Sequence, residues 1–324
     1  MSTTLAAPST ETTALHGGSR LVIVAAICGN LALAATKLLA AFVTHSSAML
    51  AEGIHSSIDT GNGLLLLWGL RQSRKPADRM HPFGHGLELY FWSFVVAVMI
   101  FGVGGGLSLY EGVQHLLNPR PMQHIVWNYV VLGCGFVFEG ISLHFALREF
   151  LMVKGEQSVW EAIHTAKDPT LFAVLLEDSA AMLGLTVALV AITFGLLFDN
   201  PYFDGAASIV IGLLLMGVAW ILAYESRSLL IGESAPPAVE KSILSIVTGD
   251  PAVERSRRPL TMQLGPFEIL VNLDVQFRPS LTAVEIQEAV QRLERNIRQR
   301  HPEAKRIFLE TQSLADTSGT FAPH

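Results

Sequence analysis

Three groups of residues have types and spacings that can do chemistry. His55 and Asp59 stand four apart in an otherwise apolar stretch, so on a helix they share a face one turn apart. An imidazole and a carboxylate so placed can grip one divalent cation, or can form a His–Asp hydrogen bond that ties helices together. Glu177 and Asp178 are adjacent acids in the middle of another apolar run. On a helix they point about 100° apart, so one faces a common site and the other a neighbour or a water-filled cavity. Carboxylates at membrane depth need protons or a cation, and a cation shared with His55 and Asp59 satisfies all of them. The third group lies in Asp78-Arg-Met-His81-Pro-Phe-Gly-His85. Two histidines at i,i+4 with an aspartate three residues earlier suit a tetrahedral site of N and O ligands. The plainer reading is a polar loop that caps the next helix.

The composition narrows what such groups can serve. Half of the 324 residues are hydrophobic and 15% are charged, against about 25% charged in a soluble domain, and the mean hydropathy is +0.42. An ordinary cytosolic enzyme and a disordered chain are both excluded. A net charge of -6 offers no basic footprint to nucleic acid. Cys28 and Cys134 sit in apolar runs and read as reduced packing residues. No H-E-x-x-H is present, so an intramembrane zinc protease lacks its signature.

The elements that must hold these groups are legible. Residues 1–19 are rich in Thr, Ser, Ala and Gly and read as a flexible tail, too polar for a signal-peptide core. Six apolar stretches follow at 21–43, 48–70, 87–117, 125–147, 170–196 and 205–224, each near the ~20 residues that cross a bilayer. Residues 20–235 thus form a six-helix membrane domain. Arg71, Arg74, Lys75 and Arg79 between the second and third stretches, and Arg148, Lys154 and Lys167 between the fourth and fifth, mark the cytoplasmic side. Both termini are then cytoplasmic, in the inner membrane if the cell is bacterial. Residues 236–314 read as helix, strand, strand, helix, strand: a small α+β domain of αββαβ, ferredoxin-like order, with a second tail at 315–324. Its strongest signals are the alternation of Phe267, Ile269, Val271, Leu273, Val275 and Phe277 and the capping-box pattern of Thr282 and Glu285. The second helix is expected to bury Ile286, Val290, Leu293 and Ile297.

Further polar residues have quieter readings. Lys37, seven residues from Asn30 on one face, is expected to pair with an intramembrane acid, and Glu139 can be that acid. Glu111 lies near the outer end of the third span, where hydration is easy. His144 reads as a hydrogen-bonded structural histidine. Gly102 and Gly106 form a GxxxG, with Gly104 and Gly105 between, that favours close helix packing.

Taken together the chain resembles the cation diffusion facilitator family of metal–proton antiporters over residues 20–314. The resemblance rests on Ser46-Ser-Ala-Met-Leu-Ala-Glu-Gly-Ile-His55-Ser-Ser-Ile-Asp59, followed by His81-Pro-Phe-Gly-His85-Gly. The stretch from Lys167-Asp-Pro-Thr to Leu176-Glu-Asp178-Ser-Ala-Ala looks most like the branch around zinc transporter nine. The resemblance implies a secondary transporter rather than an enzyme. Its cargo is a divalent cation, zinc first, moved out of the cytoplasm as protons return, with no other cofactor, and the protein works as a homodimer in the bilayer. It puts the transport site on His55, Asp59 and Asp178. Val174 stands where the family commonly has a histidine or aspartate, and Glu177 is the candidate replacement. It puts a peripheral site on Asp78, His81 and His85. In the soluble domain Asn272 stands near a family zinc position, and His301 is the only internal histidine, so no strong zinc cluster is expected there. Manganese, iron and cobalt remain open for a carboxylate-rich site. A rival of another class is a membrane scaffold whose soluble domain binds partners.

Overall fold

The computed structural model describes residues 30–119, 125–154, 167 and 169–311. Helices α1 (Asn30–Thr44), α2 (Ser47–Ser73), α4 (Ile125–Lys154), α5 (Pro169–Leu197) and α6 (Tyr202–Ile231), with α3 (Glu88–Leu117), follow the apolar stretches closely. Residues 21–29 of the first stretch, both expected tails and Cys28 lie outside the described residues. The sixth helix outruns its apolar stretch: Glu225, Ser226 and Arg227 lower the hydropathy without ending the helix.

Among the described residues, four helices are long and apolar enough to cross a membrane: α3, α4, α5 and α6. The described part of α1 is shorter. Helix α2 has the length, but Glu52, His55, Asp59, Asn62 and Arg71 interrupt its apolarity. The protein is therefore a helical membrane protein with a small C-terminal α/β domain. Over their described residues, Met1–Trp68, Trp92–Glu156 and Thr170–Ala223 form one compact unit, and Gly69–Phe91, Gln157–Pro169 and Tyr224–His324 form the other.

In the second unit, α7 (Pro237–Thr248), β1 (Val253–Ser256), β2 (Leu260–Gly265), β3 (Glu268–Phe277), α8 (Ala283–Arg300) and β4 (Arg306–Glu310) build the C-terminal domain. Strand β3 is central. It pairs antiparallel with β1 and β2 and parallel with β4, whose register runs from Leu270↔Arg306 to Asp274↔Glu310. Ile269, Val271, Leu273, Val275 and Phe277 alternate into the core, where Ile243, Val247, Ala289, Leu293 and Ile297 of the two helices cover them. Ile286 and Val290 are only partly buried at its margin. Thr282 and Glu285 close the expected capping box. Strand β1 escaped the sequence reading because only Val253 of its four residues is buried, so it carries no alternation. Phe267 has the phase of the core residues but lies in the β2–β3 turn, 75% exposed.

The close helix packing falls elsewhere than Gly102 and Gly106. A Cβ on Gly102 would meet nothing within 4 Å. The contact is made by Gly105 and Gly112 of α3 against Gly212 and Gly205 of α6. A Cβ on Gly105 would stand 2.9 Å from the Gly212 carbonyl, and one on Gly112 2.8 Å from the Gly205 carbonyl. The reason is the π-helical turn Ile100–Gly105 inside α3. Its i→i+5 hydrogen bonds wind the chain differently from an α-helix, so the side-chain faces after it are out of phase with those before it. Gly112→Ala or Gly212→Ala should therefore lower the thermal midpoint of the purified protein by several degrees, whereas Gly102→Ala should leave it within about a degree. Thermal unfolding in detergent measures both.

Candidate metal centres

The polar face of α2 organises the membrane unit. Lys37 of α1, fully buried, donates from Nζ to Glu52 Oε2 at 3.1 Å and to Ser56 Oγ at 2.8 Å. It stands 3.6 Å from Glu139 Oε1 of α4. Lys37 is thus paired with intramembrane acids, Glu139 among them. One turn along α2, His55 Nδ1 lies 3.4 Å from Asp59 Oδ1. The alignment is not that of a hydrogen bond, and both His55 Nε2 and Asp59 Oδ1 are buried without a hydrogen-bond partner among the described residues. If the His55 proton sits on Nδ1, facing the carboxylate, Nε2 carries the free lone pair a metal needs.

The adjacent acids of α5 diverge as helical geometry requires. Glu177 is buried and accepts from Asn62 Nδ2 of α2 at 3.1 Å. Asp178 accepts from Ser142 Oγ of α4 at 2.7 Å. The acid that reaches α2 is therefore Glu177, while Val174 is 40% exposed. His55, Asp59, Glu177 and Asp178 do not bring three ligand atoms within 4.8 Å of one another. They line a polar seam between helices rather than a closed cage.

Two residues of this unit were missed in the sequence. Asn62 is fully buried, and its signal was available, since 55, 59 and 62 fall on one helical face. Asp204 lies just before the apolar run at 205–224. Its carboxylate, fully buried, accepts from Ser46 Oγ at 2.6 Å, from the backbone N–H groups of Ser47 and Ala48, and from Ser47 Oγ at 2.9 Å. It caps the N-terminus of α2, where a negative charge also meets the positive end of the helix dipole.

The α2–α3 connection belongs to the other compact unit, and its three expected ligands do converge. Asp78, His81 and His85 each offer a ligand atom, all within 4.8 Å of one another. Asp78 Oδ1 accepts from the backbone N–H of His81 at 2.7 Å and of Met80 at 2.8 Å. Its two oxygens face His81 Nδ1 at 3.3 Å and His85 Nε2 at 3.2 Å. The His81 backbone N–H first, then the His85 ring and the Met80 N–H, hold the Asp78 carboxyl down at about 2, from an ordinary 3.8. The sign follows. A depressed folded pKa gives stability that is present above pH 3.8 and is lost as pH falls through about 2. The carboxylate is thus an ionised ligand throughout the physiological range. Gly86 backs this loop against the C-terminal end of β2: a Cβ there would collide with the Leu264 carbonyl. Phe83 packs edge-on to Phe308 of β4, centroids 6.5 Å apart.

Elsewhere, His301 is held on both ring nitrogens, by Glu303 at 3.2 Å and Ser242 at 2.7 Å. Asn272 donates to Glu310 at 3.1 Å. His144, expected to be structural, is exposed on α4 and lies edge-on to Phe145.

Residues 23–231 match the family model described as the cation efflux transmembrane domain. The chain is 34% identical over 83% of its length to the proton-coupled zinc antiporter SLC30A9, mitochondrial, of Xenopus laevis, covering 48% of that protein. It is 32% identical to metal tolerance protein C4 of Arabidopsis thaliana over 73% of its length and 52% of that protein. With the cation-efflux pump FieF of Escherichia fergusonii it shares 27% identity over 88% of its length and 89% of the pump. The chain thus spans about half the length of the first two relatives and most of the third.

Two outcomes follow from the geometry. Lys37→Ala leaves Glu52 and Glu139 buried without their cation and should cost about 3–5 kcal/mol of stability; adding Glu52→Gln should restore part of it, as thermal unfolding of both variants will read. Replacing both His81 and His85 by Ala should reduce turnover or apparent metal affinity in vesicles yet leave measurable metal uptake. Complete loss in a well-folded double variant would place this cluster on the transport path.

Proposed function

Because the chain belongs to the cation efflux family, we propose that it moves divalent metal ions, zinc foremost, out of the cytoplasm in exchange for protons. Six spans carry the transport, α1 and α2 joining the four most apolar helices, with both termini in the cytoplasm. The working form is a homodimer. The metal is cargo, held in passing by His55, Asp59, Asp178 and Glu177. Asp78, His81 and His85 form a peripheral site that recruits metal or fixes the loop. The basic neighbours Arg74, Lys75 and Arg79 repel cations and keep its affinity modest.

One observation carries the reading: the buried lone pairs of His55 Nε2 and Asp59 Oδ1, on one face of α2, are unused by the protein itself. Buried polar atoms are rarely left so, and a site that binds and releases a cation is one of the reasons they are. The contact between Asn62 and Glu177 supports Glu177, beside Asp178, as the α5 group that answers this face. His55 must be neutral and the acids ionised to bind metal, so metal entry expels protons and protonation expels metal.

The energetics set the exchange. Moving a divalent ion out against 100 mV costs about 4.6 kcal/mol, and one returning proton recovers about 2.3 kcal/mol. Each pH unit of gradient adds about 1.4 kcal/mol per proton. A single proton therefore needs help from a metal gradient or a larger pH difference; two do not. Zinc suits a mixed imidazole and carboxylate set, and the acid-rich α5 side leaves manganese, iron and cobalt as alternative cargo.

Asp59→Ala and Asp178→Ala should each abolish metal-stimulated proton flux in proteoliposomes while leaving a folded, inserted protein. Normal flux in both would sink the assignment and favour a scaffold. Glu177→Gln should weaken zinc binding about as much as Asp178→Asn if Glu177 is a ligand. A loss of stability with unchanged affinity would make it a helix-packing residue, and titration calorimetry on both purified variants separates the two.

A further inference from the structure

The α1–α2 turn and the C-terminal end of α3 enclose a cavity of about 540 Å³ whose lining includes His45, Ser46, Ser47, Glu111, His115 and Asn118. Among the described residues the lining has no lysine or arginine. Its charge is negative: Glu111 is half-buried on the wall, and the buried carboxylate of Asp204 lies just behind Ser46 and Ser47, to which it is hydrogen-bonded. Glu111 and His115 are four apart on α3 and share a face, the spacing that also joins His55 to Asp59. His115 is 91% buried, being 9% exposed, and its Nε2 has no hydrogen-bond partner among the described residues. The nearest acid to that nitrogen is Asp204, whose Oδ2 is 3.7 Å away. His45 sits at the mouth with a left-handed φ of 55°, a conformation uncommon outside glycine.

We propose that this cavity is a third divalent-cation site, separate from the transport and peripheral sites, with Glu111 and His115 as its protein ligands and His45 as a further one that joins when the ion is present. The proposal rests on the transport reading above, in whose orientation this end of the bundle is where the metal leaves. Asp204 acts as the positioning residue. With the His115 proton on Nε2, facing Asp204, the ring presents the lone pair of Nδ1, the arrangement in which a carboxylate orients a metal-binding histidine. The present 3.7 Å needs to close by only about 0.7 Å to reach hydrogen-bond distance.

The same geometry makes the site weak. No three of these residues bring ligand atoms within 4.8 Å of one another, so the ion keeps several of its waters and exchanges quickly. A departing ion gains a carboxylate and an imidazole for part of its hydration shell without being trapped. A relay for protons alone would need the His115–Asp204 pair but would have no use for Glu111.

The test is equilibrium zinc binding by the full chain in lipid nanodiscs. The wild type should show one weak class of sites beyond the transport and peripheral sites. Glu111→Gln, which is nearly isosteric at a half-buried wall position, should weaken that class at least tenfold, and His115→Gln should do the same. Asp204→Asn should weaken it by about 10–100-fold. Asp59→Ala and Asp178→Ala should leave it in place. An unchanged weak class in Glu111→Gln overturns the proposal, as does its disappearance in Asp59→Ala. If Asp59→Ala transports normally while Glu111→Gln still loses the weak class, the transport assignment fails and the cavity site stands. If transport follows Asp59 but zinc binding ignores Glu111, the reverse holds.

Discussion

A lysine ammonium at zero exposure inside an apolar bundle cannot stand alone. Burying a lone charge costs far more than any single packing contact returns. Lys37 meets this by drawing Glu52 and Ser56 of α2 and Glu139 of α4 around itself, which fixes three helices at one point. The remainder of the α2 face is then set by helical period alone. His55, Asp59 and Asn62 follow Glu52 along the same stripe. At the N-terminal end of α2, Asp204 clamps the backbone from α6. Helix α2 is thus held at its start by Asp204 and one turn later, at Glu52, by the Lys37 cluster, and it offers the unpartnered His55 Nε2 and Asp59 Oδ1 beyond those two anchors.

Among the described buried residues of this bundle the acids outnumber the cations. Lys37 carries one positive charge against Glu52, Glu139, Asp59, Glu177 and Asp178. Such an imbalance is tolerable in a low-dielectric interior only if protons or metal ions make up the difference. Stability alone gives no reason to keep such an imbalance.

Much of this was legible in the sequence because it depends on period. The stripe on α2 and the alternation of β3 are regular, and the structure reproduces them residue by residue from Ile269 to Phe277. Lys37 could be matched to an acid on grounds of cost alone. What escaped was whatever depends on local departures from regularity or on long-range contact. The π-turn in α3 moved the packing face away from Gly102 and Gly106, and no spacing rule reveals a π-turn in advance. Asp204, just before the sixth apolar stretch, was missed, because its partners at Ser46, Ser47 and Ala48 are more than 150 positions earlier in the chain. Strand β1 is too short and too exposed to carry a pattern of its own. The split between Glu177 and Asp178 was foreseen as a divergence, but not which acid would meet which helix.

The glycine contacts between α3 and α6 have a mechanical consequence. Helices that meet through side chains can slide by exchanging rotamers, because the layer between them is deformable. At Gly105, Gly112, Gly205 and Gly212 that layer is thin: backbone carbonyls and amides come within about 3 Å of where a Cβ would stand, with only single side chains such as Met216, Ile209 and Leu116 beside them. Relative sliding there would drive carbonyl oxygens into neighbouring main chain. The pair should therefore behave as a single beam, stiff along its length, so that a change in the shape of the bundle falls to the joints this beam makes with its neighbours.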